Sequence, residues 1–328
     1  MRTPKVSFVI CTLNCRDYAQ RCFESIRKQN YPQNKVEIVV VDSYSTDGTI
    51  EAAKKFKARV ILTKIRGYME GKGMPKAIGC EAAKGEIVFT LDSDNFLVEK
   101  NWIKNRVYPF LVNKEIDYSI CRMQVVSSDS LTNQYLSLVG TDPFAIYTSL
   151  DPKISMRLVS LEDKGKYWIY RNKSSKFLIT GGYYLAFRKT KLKEIGGYSR
   201  DVDVAYTLAE KEGRALIAIP KQAHLHHLAT TGLADFVRKK RKWGRYYFTK
   251  GNQERKFEWS NTPAKKVQFV WEVVKNLTLV LPLIFSLYLA ARDKQPIWLM
   301  HAPVKWLTTA AYISAFLEVK LSSVKRVN

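Results

Sequence analysis

An α/β fold with a mostly parallel central sheet is predicted by three observations. Short apolar, β-branched runs alternate with stretches whose apolar residues fall at helical spacing, which is the pattern of a sheet covered on both faces. Polar side chains gather where the apolar runs stop, the place where ligands bind such sheets. At 328 residues, with 46% apolar and 26% charged residues, the chain has enough material for a buried core.

The elements follow in order. Val6 to Cys11 is a short buried strand. Asp17 to Gln29 places Ala19, Cys22, Phe23 and Ile26 on one helical face, and Tyr31-Pro32 stops it. Val36 to Val41 is a second strand ending in Asp42, and Thr46-Asp-Gly48 is a turn before a helix over Thr49–Lys57. Arg59–Thr63 is a third strand, Met74–Ala83 a helix, and Gly85–Leu91 a fourth strand ending in Asp92-Ser-Asp94. The stretch from about 115 to 190 is mixed, with strand-like runs at Tyr118–Val126 and Phe177–Thr180. Gly181-Gly182 and Gly196-Gly197 are turn signals around Tyr183–Phe187. A helix over Val202–Glu212 and a last strand over Ala215–Pro220 complete the pattern.

Composition changes after about Asp235. Residues 234–266 hold 11 Lys or Arg against 3 acids, interleaved with Trp243, Tyr246, Tyr247, Phe248, Phe257 and Trp259. Asn276–Ala291 is uncharged and mostly apolar, and Ile297–Leu317 is apolar but interrupted by His301, Pro303 and Lys305. The tail is expected to seat in a membrane, either spanning it as a hairpin or lying in its interface. Lys265-Lys266 before it and Lys320, Lys325 and Arg326 after it suit anionic headgroups. The expected division is 1–235 for a catalytic domain (1–115 and 116–235 as its halves), 236–266 for a basic aromatic linker or gate, and 267–328 for the tail.

The net charge of +24 points to phosphate-bearing partners: nucleotides, nucleic acid or an anionic membrane. Five Cys, an odd number in a long chain, argue against a disulfide framework and for buried free thiols. The apolar run at Val6–Ile10 is too short for a secretory leader, so the catalytic part is expected in the cytoplasm, at the cell membrane.

Three linked segments carry a family likeness: Val6-Ser-Phe-Val-Ile-Cys-Thr-Leu-Asn14, Val39-Val-Val-Asp-Ser-Tyr-Ser-Thr-Asp-Gly-Thr49, and Ala83-Lys-Gly-Glu-Ile-Val-Phe-Thr-Leu-Asp-Ser-Asp94. In order and spacing they resemble family 2 glycosyltransferases. Gly181-Gly182 to Phe187-Arg188 and Gly196-Gly197-Tyr198 resemble the acceptor-side half of that family, so the likeness covers about residues 5 to 250. It implies a GT-A fold and an inverting, hexosyltransferase-type transfer from a nucleotide sugar, assisted by Mg or Mn. A UDP- or GDP-linked donor and a hydroxyl acceptor, such as a polyprenyl-linked lipid, are the implied partners.

The chemistry explains the residue types. A departing nucleoside diphosphate needs its charge neutralised, and a hard divalent ion held by oxygen ligands does this. Asp92 and Asp94 flank one residue at a strand end. By resemblance Asp94 is the more direct metal ligand and Asp92 lies nearer the ribose and metal. Asp42, Ser43, Thr12 and Asn14 line the nucleoside pocket by the same likeness, although the family often has a second Asp where Ser43 stands. Asp47-Gly48 is expected to be a turn and helix cap. Lys76 takes a place where the family often has Arg, near the base or diphosphate; a solvated surface Lys is the alternative.

Inversion needs a base for the acceptor hydroxyl. The likeness points to Asp201, with Asp203 second, although Arg200 replaces the acid that usually precedes it. His224, His226 and His227 cluster after the last strand. One of them is expected near the metal or diphosphate, with His226 and His227 equal candidates. Trp243 and Arg245 are expected to face the donor as part of a gate, with the neighbouring Lys residues turned outward.

Two rival classes remain. A nucleic-acid-binding protein would explain the charge, but no nucleic-acid motif accompanies it. A nucleotidyltransferase would also use a parallel sheet and acidic metal ligands, but no Gly-rich, Lys- or Arg-bearing phosphate loop follows the first strand.

Overall fold

The computed structural model describes residues 2–65, 74–140, 160–178, 184–251, 256 and 263–324. The chain forms two compact units, one from Met1–Gln124 and Tyr147–His227, the other from Val125–Ile146 and Leu228–Asn328.

The first unit is built on β1 (Val6–Thr12), β2 (Val36–Asp42), β3 (Arg59–Leu62) and β4 (Ile87–Asp92). Among the described residues, the main sheet has nine strands in the order β3-β2-β1-β4-β10-β6-β11-β9-β8. The other members are β6 (Tyr118–Ser119), β8 (Glu162–Asp163), β9 (Tyr167–Lys173), β10 (Ala186–Arg188) and β11 (Arg214–Pro220). β1 pairs in parallel with both β2 and β4, and β2 with β3. β10 then runs antiparallel to β4 and β6, so the parallel half ends at β4. Consequently Thr12, Asp42 and Asp92 end adjacent strands at one edge of the sheet.

A second sheet of three strands, in the order β5-β12-β7, joins β5 (Asn95–Leu97), β7 (Arg122–Met123) and β12 (His224–His227). The expected strand Tyr118–Val126 is therefore two short strands in different sheets. The expected strand Phe177–Thr180 is not formed at its described end: Ser174–Lys176 is a 3-10 turn, while residues 179–183, with Gly181-Gly182, lie outside the described residues.

Helices cover both faces of the main sheet. Successive strand residues point to opposite faces. On one face Val9, Val39, Val88, Phe187 and Ile217 form a core with α3 (Pro75–Ala82) and α7 (Asp201–Lys211). On the other, Phe8 and Phe89 stack at 4.8 Å and meet Trp102 of α4 (Trp102–Val112). Full burial of each such aromatic contributes on the order of 2–3 kcal/mol. Helices α1 (Arg16–Arg27) and α2 (Thr49–Lys55) follow β1 and β2 as the periodicity predicts. Gly79 lets α3 lie against the sheet: a Cβ there would stand 2.3 Å from Val9 Cγ1.

The second unit contains α5 (Leu131–Val139), α8 (Leu233–Tyr246), α9 (Pro263–Leu277), α10 (Val280–Asp293) and α11 (His301–Val324). Helix α6 (Lys189–Glu194) belongs to the first unit. The compact units divide after Gln124 and His227, and α5, from the middle of the chain, packs with the C-terminal helices. Its Tyr135 hydroxyl and His301 Nδ1 lie 2.6 Å apart in a buried hydrogen bond.

Candidate active site

Asp42 is completely buried at the end of β2. Its carboxylate accepts from Thr12 Oγ1 at 2.6 Å, from the Ser45 amide at 2.7 Å and from Ser45 Oγ at 2.7 Å. Asn14, with φ of 47°, accepts from the Thr46 amide at 2.9 Å and donates its own amide to Ser45 Oγ at 2.8 Å. Ser43 Oγ donates to the Ile65 carbonyl at 2.7 Å. Thr12, Asn14, Asp42 and Ser43 are thus brought together, as the sequence predicts, but much of their hydrogen bonding shapes the loop after β2. Asp47 accepts from the Arg16 and Thr49 amides, the turn-and-cap role expected of it.

Asp92 ends β4 and Asp94 follows it. Asn95, the first residue of β5, is completely buried; its Oδ1 accepts from the Asp92 amide and its Nδ2 donates to Asp94 Oδ1, both at 3.0 Å. This brace was not read from the sequence, although an amide side chain directly after the paired acids is its signal. Burial pushes the Asp92 carboxyl up, Lys76 opposes this, and Asp94 and Asp201 add to the rise.

The small sheet selects between the histidines. His227 pairs across from Asn95 in the β12–β5 register, and its Nε2 comes within 3.5 Å of Asp94 Oδ2. His226 faces the other way and meets the Phe96 ring edge-on at 5.5 Å. His224 is held by Glu99: its ring pairs with one carboxylate oxygen and its amide donates to the other at 2.8 Å. Alternation along the strand makes this separation.

Asp201 opens α7, where the helix dipole favours a negative charge. The Tyr198 hydroxyl donates to its Oδ1. Lys76, on α3, reaches both halves of the unit: its Nζ is 3.3 Å from Asp92 Oδ1 and 3.7 Å from Asp201 Oδ2. The surface-lysine alternative therefore does not describe it. Asp203, two residues further along α7, is buried. Trp243 and Arg245 lie on α8 in the second unit, where Trp243 meets Tyr246 edge-on and Arg245 pairs with Glu318 at 3.1 Å.

Arg106 is a further residue that the sequence did not announce. It is completely buried over the Phe89 and Trp102 rings, and its Nη2 donates to the carbonyls of Ser119 at 3.0 Å and Tyr184 at 2.7 Å. Burial pulls its guanidinium down to about 10. The Tyr184 ring in turn meets His227 edge-on at 5.5 Å. Burial pushes the Cys11 thiol up to about 12, and Cys22 and Cys80 are buried.

Among the described residues, no three His, Cys, Asp or Glu side chains form a metal cage. Mg and Mn are commonly held by one or two protein ligands completed by substrate phosphates and water. The Asp94–His227 pair, with Asp92 beside it, fits such an ion in donor type.

Residues 7–196 match the profile of the family described as Glycosyl transferase family 2. The chain belongs to this family. Poly(ribitol-phosphate) beta-N-acetylglucosaminyltransferase TarS of Staphylococcus aureus is 26% identical over 179 residues, covering 52% of this chain and 31% of that protein. Poly(ribitol-phosphate) beta-glucosyltransferase of Bacillus spizizenii is 24% identical over 219 residues, covering 64% and 33%. UDP-Glc:alpha-D-GlcNAc-diphosphoundecaprenol beta-1,3-glucosyltransferase WfaP of Escherichia coli is 27% identical over 132 residues, covering 40% and 51%. The chain spans about a third of the length of the first two relatives. Among solved structures, mannosyltransferase PcManGT from Pyrobaculum calidifontis, in complex with GDP-Man and Mn2+, shares the fold. Its TM-score is 0.52 at 19% identity, over 97% of this chain and 88% of that one. The GT-A architecture implied by the sequence motifs is thus the architecture of this protein.

Proposed function

We propose that this family 2 member is an inverting glycosyltransferase that moves a sugar from a UDP- or GDP-linked donor to a hydroxyl acceptor. The observation that carries the reading is the convergence of Asp92 and Asp201 on Lys76, with Asp94 and His227 alongside. A donor-side acid and an acceptor-side acid thereby reach one cation, which brings a base for the acceptor hydroxyl close to where the diphosphate would leave.

Each side chain has a defined task. Thr12, Asn14, Asp42 and Ser43 shape the nucleoside pocket at the ends of β1 and β2. Asp201 takes the proton from the acceptor hydroxyl, held in orientation by the Tyr198 hydroxyl. Lys76 supplies positive charge beside the departing diphosphate. Asp94 and His227, with Asp92, would hold Mg or Mn, which when bound neutralises diphosphate charge. Asp203 keeps a secondary place as a base candidate. The acceptor is proposed to be lipid-linked, with the catalytic unit on the cytoplasmic side of the cell membrane. The name of the WfaP relative, with its diphosphoundecaprenol acceptor, supports that class.

The test is thermal stability against UDP, GDP, CMP and dTDP, each with and without Mn, for the wild type and Asp94→Asn. Binding to the native state raises apparent stability by mass action. A Mn-dependent rise with one nucleotide, absent in Asp94→Asn, is the expected result. A folded sample that responds to none of the four overturns the donor site.

A further inference from the structure

In the first unit large apolar side chains such as Phe8, Phe23, Phe89 and Trp102 are fully buried, as in a protein folded in water. Helices α9, α10 and α11 bury polar side chains beside small or apolar ones such as Val304 and Ala315, and turn a run of large apolar side chains outward. Their buried positions include Asn276, Ser286, His301, Lys305, Thr308 and Thr309, each 3% exposed or less. Their outward positions include Val270, Trp271, Val280, Leu281, Ile284 and Leu287, all more than half exposed. In water such a bundle would leave a large apolar surface unpaid while desolvating an ammonium and an imidazole.

The interior is organised. Asn276 Nδ2 donates to Thr309 Oγ1 at 3.3 Å, joining α9 to α11. Ser286 Oγ donates to the Pro282 carbonyl at 2.8 Å and accepts from the Ala302 amide at 3.0 Å, joining α10 to α11. Thr308 and Thr309 return their hydroxyls to the Val304 and Lys305 carbonyls. Where α8 crosses α11, a Cβ on Gly244 would stand 2.9 Å from Ala315 Cβ. Small residues at helix contacts and polar groups satisfied between helices are how helices associate in hydrocarbon, where apolar burial supplies no force.

We infer that α9, α10 and α11 enter the hydrocarbon of a phospholipid bilayer together, as one bundle with a polar seam. No single described helix is long and apolar enough to cross alone; the pair Val270–Leu277 and Val280–Asp293 meets that standard only jointly, across a 75° bend. The bundle explains why. α11 has 24 residues, about 36 Å of helix at 1.5 Å per residue, against about 30 Å of hydrocarbon. Its mean hydropathy is lowered by Lys305, Thr308 and Thr309, which face neighbouring helices and not the lipid. Charge supplies the complement: α8 carries Arg238, Lys239, Lys240, Arg241, Lys242 and Arg245, suited to anionic headgroups.

The test uses the full chain reconstituted into vesicles of neutral and anionic phospholipid, some with brominated acyl chains that quench nearby tryptophan. Trp271 is outward and Trp298 buried within the same unit. Brominated chains are expected to quench wild type, to quench Trp271→Phe markedly less, and to quench Trp298→Phe as much as wild type. The protein is expected to stay with the vesicles through high salt and alkaline carbonate. Release by salt would reduce the association to surface electrostatics and overturn immersion; so would equal quenching in the two variants. Neither result bears on nucleotide binding by the first unit, so this inference and the transferase reading fail separately.

Discussion

Lys76 Nζ stands 3.7 Å from Asp201 Oδ2, so a cation on α3 reaches the acid that opens α7. This contact separates two tasks that a kinetic experiment can tell apart. Asp201→Asn should lower turnover by about 10²–10⁴-fold, the usual worth of a positioned base, while leaving the stabilisation by nucleotide unchanged. Lys76→Met should lower turnover by about 10²-fold or more and should also weaken nucleotide stabilisation, since its charge faces the diphosphate. Equal loss of nucleotide binding in both variants would contradict the division of labour.

Asp94 and His227 make the second division. If His227 completes the ion site, His227→Ala should raise the Mn concentration needed for half-maximal nucleotide stabilisation by about tenfold, worth about 1.4 kcal/mol. His226→Ala, whose ring packs on Phe96, should leave that concentration unchanged. A metal titration read by thermal shift checks both without any acceptor.

The Glu99–His224 contact, which sets the start of β12, predicts a pH dependence. Burial opposes ionisation of Glu99, but hydrogen bonds from the His224 ring and amide outweigh it and hold the carboxyl below its ordinary value of 4.5. A depressed acid stabilises the fold fully above its unfolded value, and that contribution disappears as pH falls through the folded value. Glu99→Gln should therefore lower stability by about 1–2 kcal/mol at neutral pH, with the gap to wild type closing below about pH 4. Denaturant melts across this range are the measurement.

Gly79 predicts a packing limit. Its absent Cβ would overlap Val9 Cγ1 at 2.3 Å and press on Val41 Cγ2 at 3.0 Å. Gly79→Ala should cost about 1–3 kcal/mol, despite alanine's better helix propensity, because α3 must shift off the sheet. That shift also moves Lys76, so nucleotide stabilisation should weaken in the same variant. A variant as stable as wild type would show that α3 has slack.

The local pattern along the chain is enough to determine β1, β2, β4 and the helices after them, because a strand buried on both faces and a one-sided helix each write their period into consecutive residues. It also determines the paired acids, the Asp47 turn and the place of Asp201, since each lies at the end of such an element. Other features depend on partners distant in the chain. Tyr118–Val126 is one apolar run in sequence, but its two ends pair with β11 and β12 in separate sheets. Arg106 is unremarkable within its helix, and its role comes from carbonyls 13 and 78 residues away. His226 and His227 are equal until β12 pairs with β5 and turns only one toward Asp94. The tail shows the same limit: hydropathy along one helix averages over all its faces. Only the packed bundle reveals that His301, Lys305, Thr308 and Thr309 of α11 look inward while Phe316, Leu317 and Leu321 look outward. The sequence by itself determined the fold family and the positions of its acids at strand and helix ends. Tertiary structure decided which side chains those acids meet, because register and helix packing are set by contacts no local pattern encodes.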